Sequence, residues 1–252
     1  MERNLLEMCE KKLYVVGIGP GEYEQLTMRA AGALNRSRII VGYQVYIDLI
    51  REYFPDKEYL SSPMTREVER CRLALEKAGE GAAVSVVCSG DPGIYGMAGL
   101  ILELAAEYPE VSVEIVPGVT AASAGAALLG APVCHDFAVI SLSDRLTSRE
   151  LIERRLECAA MADMAVCLYN PSSRQRSDYL QWACEILGRF KGPETVCGLA
   201  RNIARQGQYT EIMTLGRLKE TPVDMFTTVY IGNSQTREIQ GNMVTPRGYR
   251  YE

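Results

Sequence analysis

Along the first half of this 252-residue chain, short β-branched runs end in glycine-containing turns and then open into helices. Leu13-Tyr14-Val15-Val16 leads into Gly17-Ile18-Gly19-Pro20-Gly21, and a helical pattern follows with Leu26, Ala30, Ala33 and Leu34 on one face. Val84-Ser85-Val86-Val87 leads into Cys88-Ser89-Gly90-Asp91-Pro92-Gly93-Ile94-Tyr95-Gly96-Met97, and Ala98 to Ala106 continues as an apolar-faced helix. Val111 to Val116 leads into Pro117-Gly118-Val119-Thr120-Ala121-Ala122-Ser123 and an alanine-rich helix to Leu129. Strands alternating with helices imply a parallel sheet, because a parallel neighbour is reached only through a crossover. In such a sheet the turns that leave the carboxyl ends of the strands share one edge, where ligands bind. Any one of these turns is equally an ordinary strand-to-helix connection. Three on one edge are a candidate site.

The remaining punctuation is consistent with this frame. Ile39-Ile40-Val41 reads as a short strand, Gln44 to Tyr53 as a helix stopped by Pro55, and Thr65 to Ala78 as a helix closed by Gly79. Gly130-Ala131-Pro132 interrupts the alternation and marks the expected boundary, giving an N-terminal α/β domain over 12–133 and a C-terminal α/β domain over 134–252. Beyond it, Phe137 to Leu142, Ala165 to Tyr169, Thr195 to Leu199, Gln208 to Thr214 and Phe226 to Ile231 read as strands, with helices over Ser148 to Met161 and up to Leu187. No long helix separates the last strands, so this sheet is expected to be mixed. The end, Gly232 to Glu252, reads as turn-rich.

Composition narrows the function classes. The first 133 residues carry 12 basic and 18 acidic side chains and the rest carry 15 and 14, which argues against a broad nucleic-acid surface but allows a local basic pocket. Eight scattered cysteines without a Cys-x-x-Cys pair, and a single histidine, argue against a zinc site and for reduced thiols in a cytoplasmic protein. The charged stretch Met1 to Lys12 lacks the apolar segment of a signal peptide. Ile115 to Cys134 is uncharged, but its Ala, Gly and flanking Pro117 and Pro132 read as a buried helix between turns rather than a membrane span. A nicotinamide cofactor is disfavoured: Glu22 stands where a dinucleotide fingerprint needs its third glycine, and its charge would repel a pyrophosphate.

Taken together, Gly17-Ile18-Gly19-Pro20-Gly21, Ser89-Gly90-Asp91-Pro92 with Tyr95, and Pro117-Gly118-Val119-Thr120-Ala121 resemble the three signature loops of the tetrapyrrole methylases. The resemblance covers roughly residues 12 to 247. Five further stretches resemble its precorrin-3B (or cobalt-precorrin-3B) C-17 methyltransferase branch. These are His135-Asp136-Phe137, Ser141-Leu142-Ser143-Asp144, Tyr169-Asn170-Pro171-Ser172, Gly232-Asn233-Ser234 and Thr245-Pro246-Arg247-Gly248-Tyr249. The alternatives are a C-11 or C-20 precorrin methyltransferase and, with less support from these stretches, diphthine synthase. A nucleotide-sensing module would need one ligand loop, not three.

The resemblance implies two α/β domains with S-adenosylmethionine in the cleft between them, a tetrapyrrole substrate and a homodimer. It implies cofactor contacts from Pro20, Ser89, Gly90, Asp91, Ile94, Tyr95, Thr120 and Ala121, with Asn170 and Ile203 from the second domain. Asp91 could bind the ligand or pin its own loop through Asx-turn bonds. A carboxylate-studded macrocycle calls for guanidinium partners. The candidates are Arg145, Arg201, Arg237 and Arg247, with Arg149, Arg174 and Arg176 beside them. Ring contraction needs proton movement, for which His135 with Asp136 is the first choice, histidine being the side chain that ordinarily titrates near neutrality. Asp144 and Ser141 are the alternatives, and a helix cap is the plain structural role for Asp144.

Overall fold

The structure is a computed structural model that describes residues 11–173 and 176–250; Arg174 lies outside the described residues. The chain divides into two compact units, Met1–Thr120 and Ala121–Glu252. The division falls after Thr120 rather than at the expected boundary after Val133.

The first unit is built on β1 (Lys12–Gly17), α1 (Met28–Arg36), β2 (Ile39–Tyr43), α2 (Gln44–Asp48), β3 (Glu58–Ser62), α3 (Glu67–Gly79), β4 (Val84–Cys88), α4 (Ala98–Ala105) and β5 (Ser112–Val116). Its sheet runs β3-β2-β4-β1-β5, and every pairing is parallel. Successive side chains of a strand point to opposite faces. Leu13 and Val15 of β1 therefore join Ala74, Leu75 and Ile101 in one core, while Tyr14 and Val16 join Ala30, Leu34 and Ile47 in another. Both faces are covered by helices, which is why β1 and β4 are almost continuously buried. The sequence reading passed over β3, an edge strand whose polar, half-exposed residues lack the apolar signature of its neighbours.

In the second unit follow α5 (Ala121–Leu129), β6 (Gly130–Ala131), β7 (Phe137–Ser141), α6 (Arg149–Met161), β8 (Ala165–Tyr169), α7 (Tyr179–Leu187), β9 (Val196–Arg201), β10 (Tyr209–Thr214), α8 (Leu215–Leu218), β11 (Thr227–Ile231), β12 (Arg237–Ile239) and β13 (Asn242–Val244). The main sheet runs β10-β9-β11-β8-β7. β7 pairs parallel with β8, whereas β11 lies antiparallel to both β8 and β9, and β10 antiparallel to β9; the sheet is mixed, as expected. The turn-rich end holds a feature not anticipated, a hairpin of β12 and β13 turned by Gln240 and Gly241 at positive φ, with β6 beside β13.

The helix α5 belongs with this second unit because its apolar face is buried there. Ala122, Ala126 and Leu129 pack with Cys167, Ala200, Tyr230 and Met243. The Tyr230 hydroxyl, at the centre of that core, donates to the carbonyls of Ala121 (2.8 Å) and Ala122 (3.1 Å). The Ala122 N–H donates to the Tyr169 hydroxyl (2.6 Å). Among the described residues no helix is long and apolar enough to cross a membrane.

Replacing Tyr230 by Phe keeps the ring and leaves the start of α5 without its buried donor. A loss of about 1–3 kcal/mol in unfolding free energy is expected. A urea titration should show a lower midpoint at unchanged slope; an unchanged midpoint would mean that packing alone holds α5.

Candidate active site

The three glycine-containing loops meet at the carboxyl edge of the first sheet, because β4, β1 and β5 are neighbours there. They join main chain to main chain. Gly19 and Gly90 exchange hydrogen bonds, Gly90 N–H to Gly19 O at 2.7 Å and Gly19 N–H to Gly90 O at 3.2 Å. Ile18 N–H reaches Cys88 O at 2.9 Å. A Cβ on Gly17 would stand 2.6 Å from both Gly118 N and Gly90 O, so only glycine allows this approach. Gly19 and Gly90 also lie at positive φ, 70° and 69°.

Asp91 completes the junction. Its Oδ1 accepts from Gly93 N–H (2.8 Å) within its own loop, and its Oδ2 accepts from Gly118 N–H (3.0 Å) in the loop after β5. Of the two roles open to Asp91 from sequence, the geometry supplies the pin. Gly90 likewise has its N–H committed to Gly19. Beyond the junction, Ile94 and Tyr95 stand exposed, Tyr95 at a φ of 55° that non-glycine residues rarely adopt. Pro20 is buried, and Ser89 and Thr120 are half-buried.

The second unit places its expected site residues at two opposite edges of its sheet. Ser141, Asn170 and Arg201 stand at the carboxyl ends of β7, β8 and β9, which point the same way. Asn170, at a φ of 54°, donates through Nδ2 to Ser141 Oγ (2.9 Å), which also accepts from Ser143 N–H (3.2 Å). Ala121 belongs to this edge through the bond between Ala122 and Tyr169. Arg145 is exposed just beyond Asp144, and Arg201 forms an ion pair with Asp224 at 2.6 Å. Ile203 is buried against α5.

Asp144 lies on the same side, tightly held. Tyr179 donates to its Oδ2 (2.6 Å), and Arg176 Nη1 bonds its Oδ1 (2.9 Å). Arg176 also reaches Ser143 and Ser173, and the Arg149 guanidinium lies 5.1 Å from the Tyr179 ring centre and 4.4 Å from that of Trp182. The Tyr179 hydroxyl first, and Arg176 second, hold the Asp144 carboxyl below its usual range. A carboxylate so stabilised is a poor proton donor near neutral pH.

His135 and Asp136 precede β7, so the whole strand separates them from Ser141, roughly 15–20 Å at ~3.3 Å per residue. The Asp136 N–H donates to His135 Nδ1 (2.8 Å), which leaves the imidazole proton of the neutral ring on Nε2. Both line a depression of about 710 Å³ with Phe137, Asp163, Asn233 and Arg247. Arg237 stands exposed on β12, opposite Val244. The first choice for proton handling, His135 with Asp136, and the alternatives, Ser141 and Asp144, thus occupy different edges of this sheet. Sequence reasoning assigned no role to the hydroxyls of Tyr169, Tyr179 and Tyr230, which tie elements far apart in the chain.

The model of the family "Tetrapyrrole (Corrin/Porphyrin) Methylases" matches residues 12–219. The chain belongs to this family and is an enzyme of the methyltransferase kind. It is 44% identical to a Salmonella typhimurium protein named probable cobalt-factor III C(17)-methyltransferase, over 94% of this chain and 99% of that protein. It is 46% identical to cobalamin biosynthesis protein CbiHC of Archaeoglobus fulgidus over 97% of this chain, which spans 54% of that longer protein. The crystal structure of the methyltransferase CobJ superposes with a TM-score of 0.85 at 36% identity, covering 93% of this chain and 99% of that one.

Two outcomes follow from the geometry. Asp91→Ala removes the acceptor of two amides, and a loss of about 1–3 kcal/mol is expected. Faster amide exchange at Gly93 and Gly118, with the strands unaffected, is the local signature. Asp144 has a depressed folded pKa, so its stabilisation is complete above its unfolded value, ~3.9, and is lost as pH falls through the lower folded value. Wild type should lose more stability than Asp144→Asn as pH drops from 5 to about 2; parallel acid profiles would remove Asp144 as a titrating anchor.

Proposed function

We propose that this enzyme transfers the methyl group of S-adenosylmethionine to C-17 of a precorrin-3B-type macrocycle, with the cobalt-bearing form as its substrate, and drives contraction of the ring. The observation that carries this reading is the end-to-end similarity to the protein named for cobalt-factor III C(17)-methylation, 44% identical over almost the full length of both chains. The cobalt form is favoured because proteins named for cobalt-factor III methylation reach 42–44% identity.

The residues suit that cofactor. The loop junction brings three main-chain turns together at the carboxyl edge of the sheet, with Ile94 and Tyr95 exposed beside it. Ser89 and Thr120 adjoin it in sequence. When bound, S-adenosylmethionine supplies an activated methyl group, so no protein nucleophile is needed. The buried thiols accord with this: burial pushes Cys71 up to about 12 and Cys88 to about 11, and protonated thiols are poor nucleophiles. What the chain must supply is alignment and exclusion of water.

For contraction the reading now favours Ser141 over His135. Ser141 shares an edge with Ala121 and Asn170, whereas His135 and Asp136 stand a strand's length away, and Asp144 is held as an ion. Arg145 and Arg201 share the Ser141 edge and are the preferred carboxylate partners; Arg247 lies with His135. The reading includes a homodimer working in the cytoplasm, which light scattering and fractionation would check.

The test is single-turnover incubation with S-adenosylmethionine and either cobalt-factor III or metal-free precorrin-3B, followed by mass and absorbance. One added methyl and a contracted ring on the cobalt substrate are expected. No methyl transfer to either macrocycle would overturn the assignment. His135→Asn should contract the ring at the wild-type rate, while Ser141→Ala should methylate normally and contract about 10²–10⁴-fold more slowly. The reverse pattern would return the proton-handling role to His135.

A further inference from the structure

Arg70, near the start of α3, is 4% exposed. No carboxylate among the described residues pairs with it. Its guanidinium instead spans two separate loops. Nε donates to Ser62 Oγ (2.9 Å), and Nη2 donates to the carbonyls of Ser62 (3.3 Å) and Pro63 (2.8 Å), where the chain leaves β3. Nη1 lies 3.5 Å from Met97 Sδ, at the far end of the loop that begins at Ser89. Met97 is itself buried and precedes the first residue of α4.

A buried cation without a counter-charge is expensive to desolvate, and hydrogen bonds to well-placed acceptors must offset that cost. The charge therefore calls for a role that packing would not fill. Its acceptors supply one: four atoms in three directions, which a planar fork with fixed donors can engage together and a single ammonium cannot. One guanidinium thus sets the spacing between the Ser62–Pro63 turn and the end of the Ser89–Met97 loop. The turn carries its own strain, since Thr65, a β-branched residue, sits at a φ of 77°. The same positive charge works against the burial effect at the thiols of Cys71 and Cys88, in α3 and at the end of β4.

We infer that Arg70 is a positioning residue for cofactor binding: through Met97 it fixes the Ser89–Met97 loop in its binding shape and couples it to the turn after β3. It touches no reacting atom. The inference rests on the reading of that loop as the S-adenosylmethionine platform, and it separates from that reading because part of it is measurable without ligand.

The experiment compares wild type, Arg70→Met, Arg70→Lys and Met97→Leu. In ligand-free protein, amide exchange over residues 89–97 should rise in Arg70→Met while exchange in β1 and β5 stays near wild type. Calorimetry with S-adenosylhomocysteine should show roughly tenfold weaker binding, the loss of about one charge-assisted hydrogen bond. The KM for S-adenosylmethionine should rise while kcat at saturation is retained. Arg70→Lys should resemble Arg70→Met, because charge without the fork does not restore the geometry. Met97→Leu preserves volume and removes only the sulfur acceptor, so it should give a smaller change of the same kind. It serves as the measurement if the Arg70 variants do not fold. Unchanged local exchange and unchanged affinity in a folded Arg70→Met, or in Met97→Leu where Arg70→Met does not fold, would overturn the inference. So would exchange that rises uniformly through the sheet, the mark of a merely structural residue. Wild type that binds no S-adenosylhomocysteine, yet shows the local exchange effect on mutation, would overturn the cofactor reading and leave the coupling standing.

Discussion

The meeting of Gly17, Gly90 and Gly118 is the constraint on which the first unit's site depends. Three loops from three adjacent strands can converge only if their main chains come closer than any side chain permits. Glycine removes the Cβ at the points of contact, and the exchange of hydrogen bonds between Gly19 and Gly90 replaces water as their partner. Asp91 then joins the third loop by accepting from Gly118. The conformational freedom of glycine is a liability in an unfolded chain. Here it is offset by a carboxylate that engages two amides at once.

The order of the strands makes that junction possible. β1 lies between β4 and β5, so its glycine loop is flanked by the other two. In a right-handed parallel fold the crossovers that achieve this order must cover both faces of the sheet. That in turn demands the two apolar cores, with Leu13 and Val15 facing one and Tyr14 and Val16 the other. The second unit uses different means. Its mixed sheet is tied by side chains, and the hydroxyls of Tyr169, Tyr179 and Tyr230 each bind a group distant in sequence.

Much of the fold was readable because it rests on periodicity. The near-continuous apolar runs of β1 and β4, and the glycine turns that follow them, announce a parallel sheet and one shared edge. β3 escaped because Glu58-Tyr59-Leu60-Ser61-Ser62 is a polar edge strand, and the β12–β13 hairpin because its exposed residues resemble a loop. For Asp91 the residue type is the same whether it binds a ligand or two amides, so only geometry separates the roles. Arg70 did leave a trace. It lies four residues before Ala74 and eight before Ala78, on the buried stripe of α3, where a solvated arginine does not belong.

His135 shows how nearness in sequence misleads. It follows Thr120, in the third loop, by only fifteen positions. The intervening segment is not compact in the needed sense. Nine residues of α5 at ~1.5 Å each carry the chain about 14 Å along the sheet, from the edge that holds Tyr169 to the opposite edge where β7 begins. The chain must then traverse β7 to return to Ser141. A helix of that length between two candidate residues separates them as effectively as a domain would. Ser141 and Asn170, twenty-nine positions apart, end in hydrogen-bond contact because parallel strands in register bring their carboxyl ends together. Register, not sequence distance, decides which polar groups share an edge. Residues that follow parallel strands are therefore the stronger candidates for a common site, and a residue that precedes one is the weaker, whatever its chemistry.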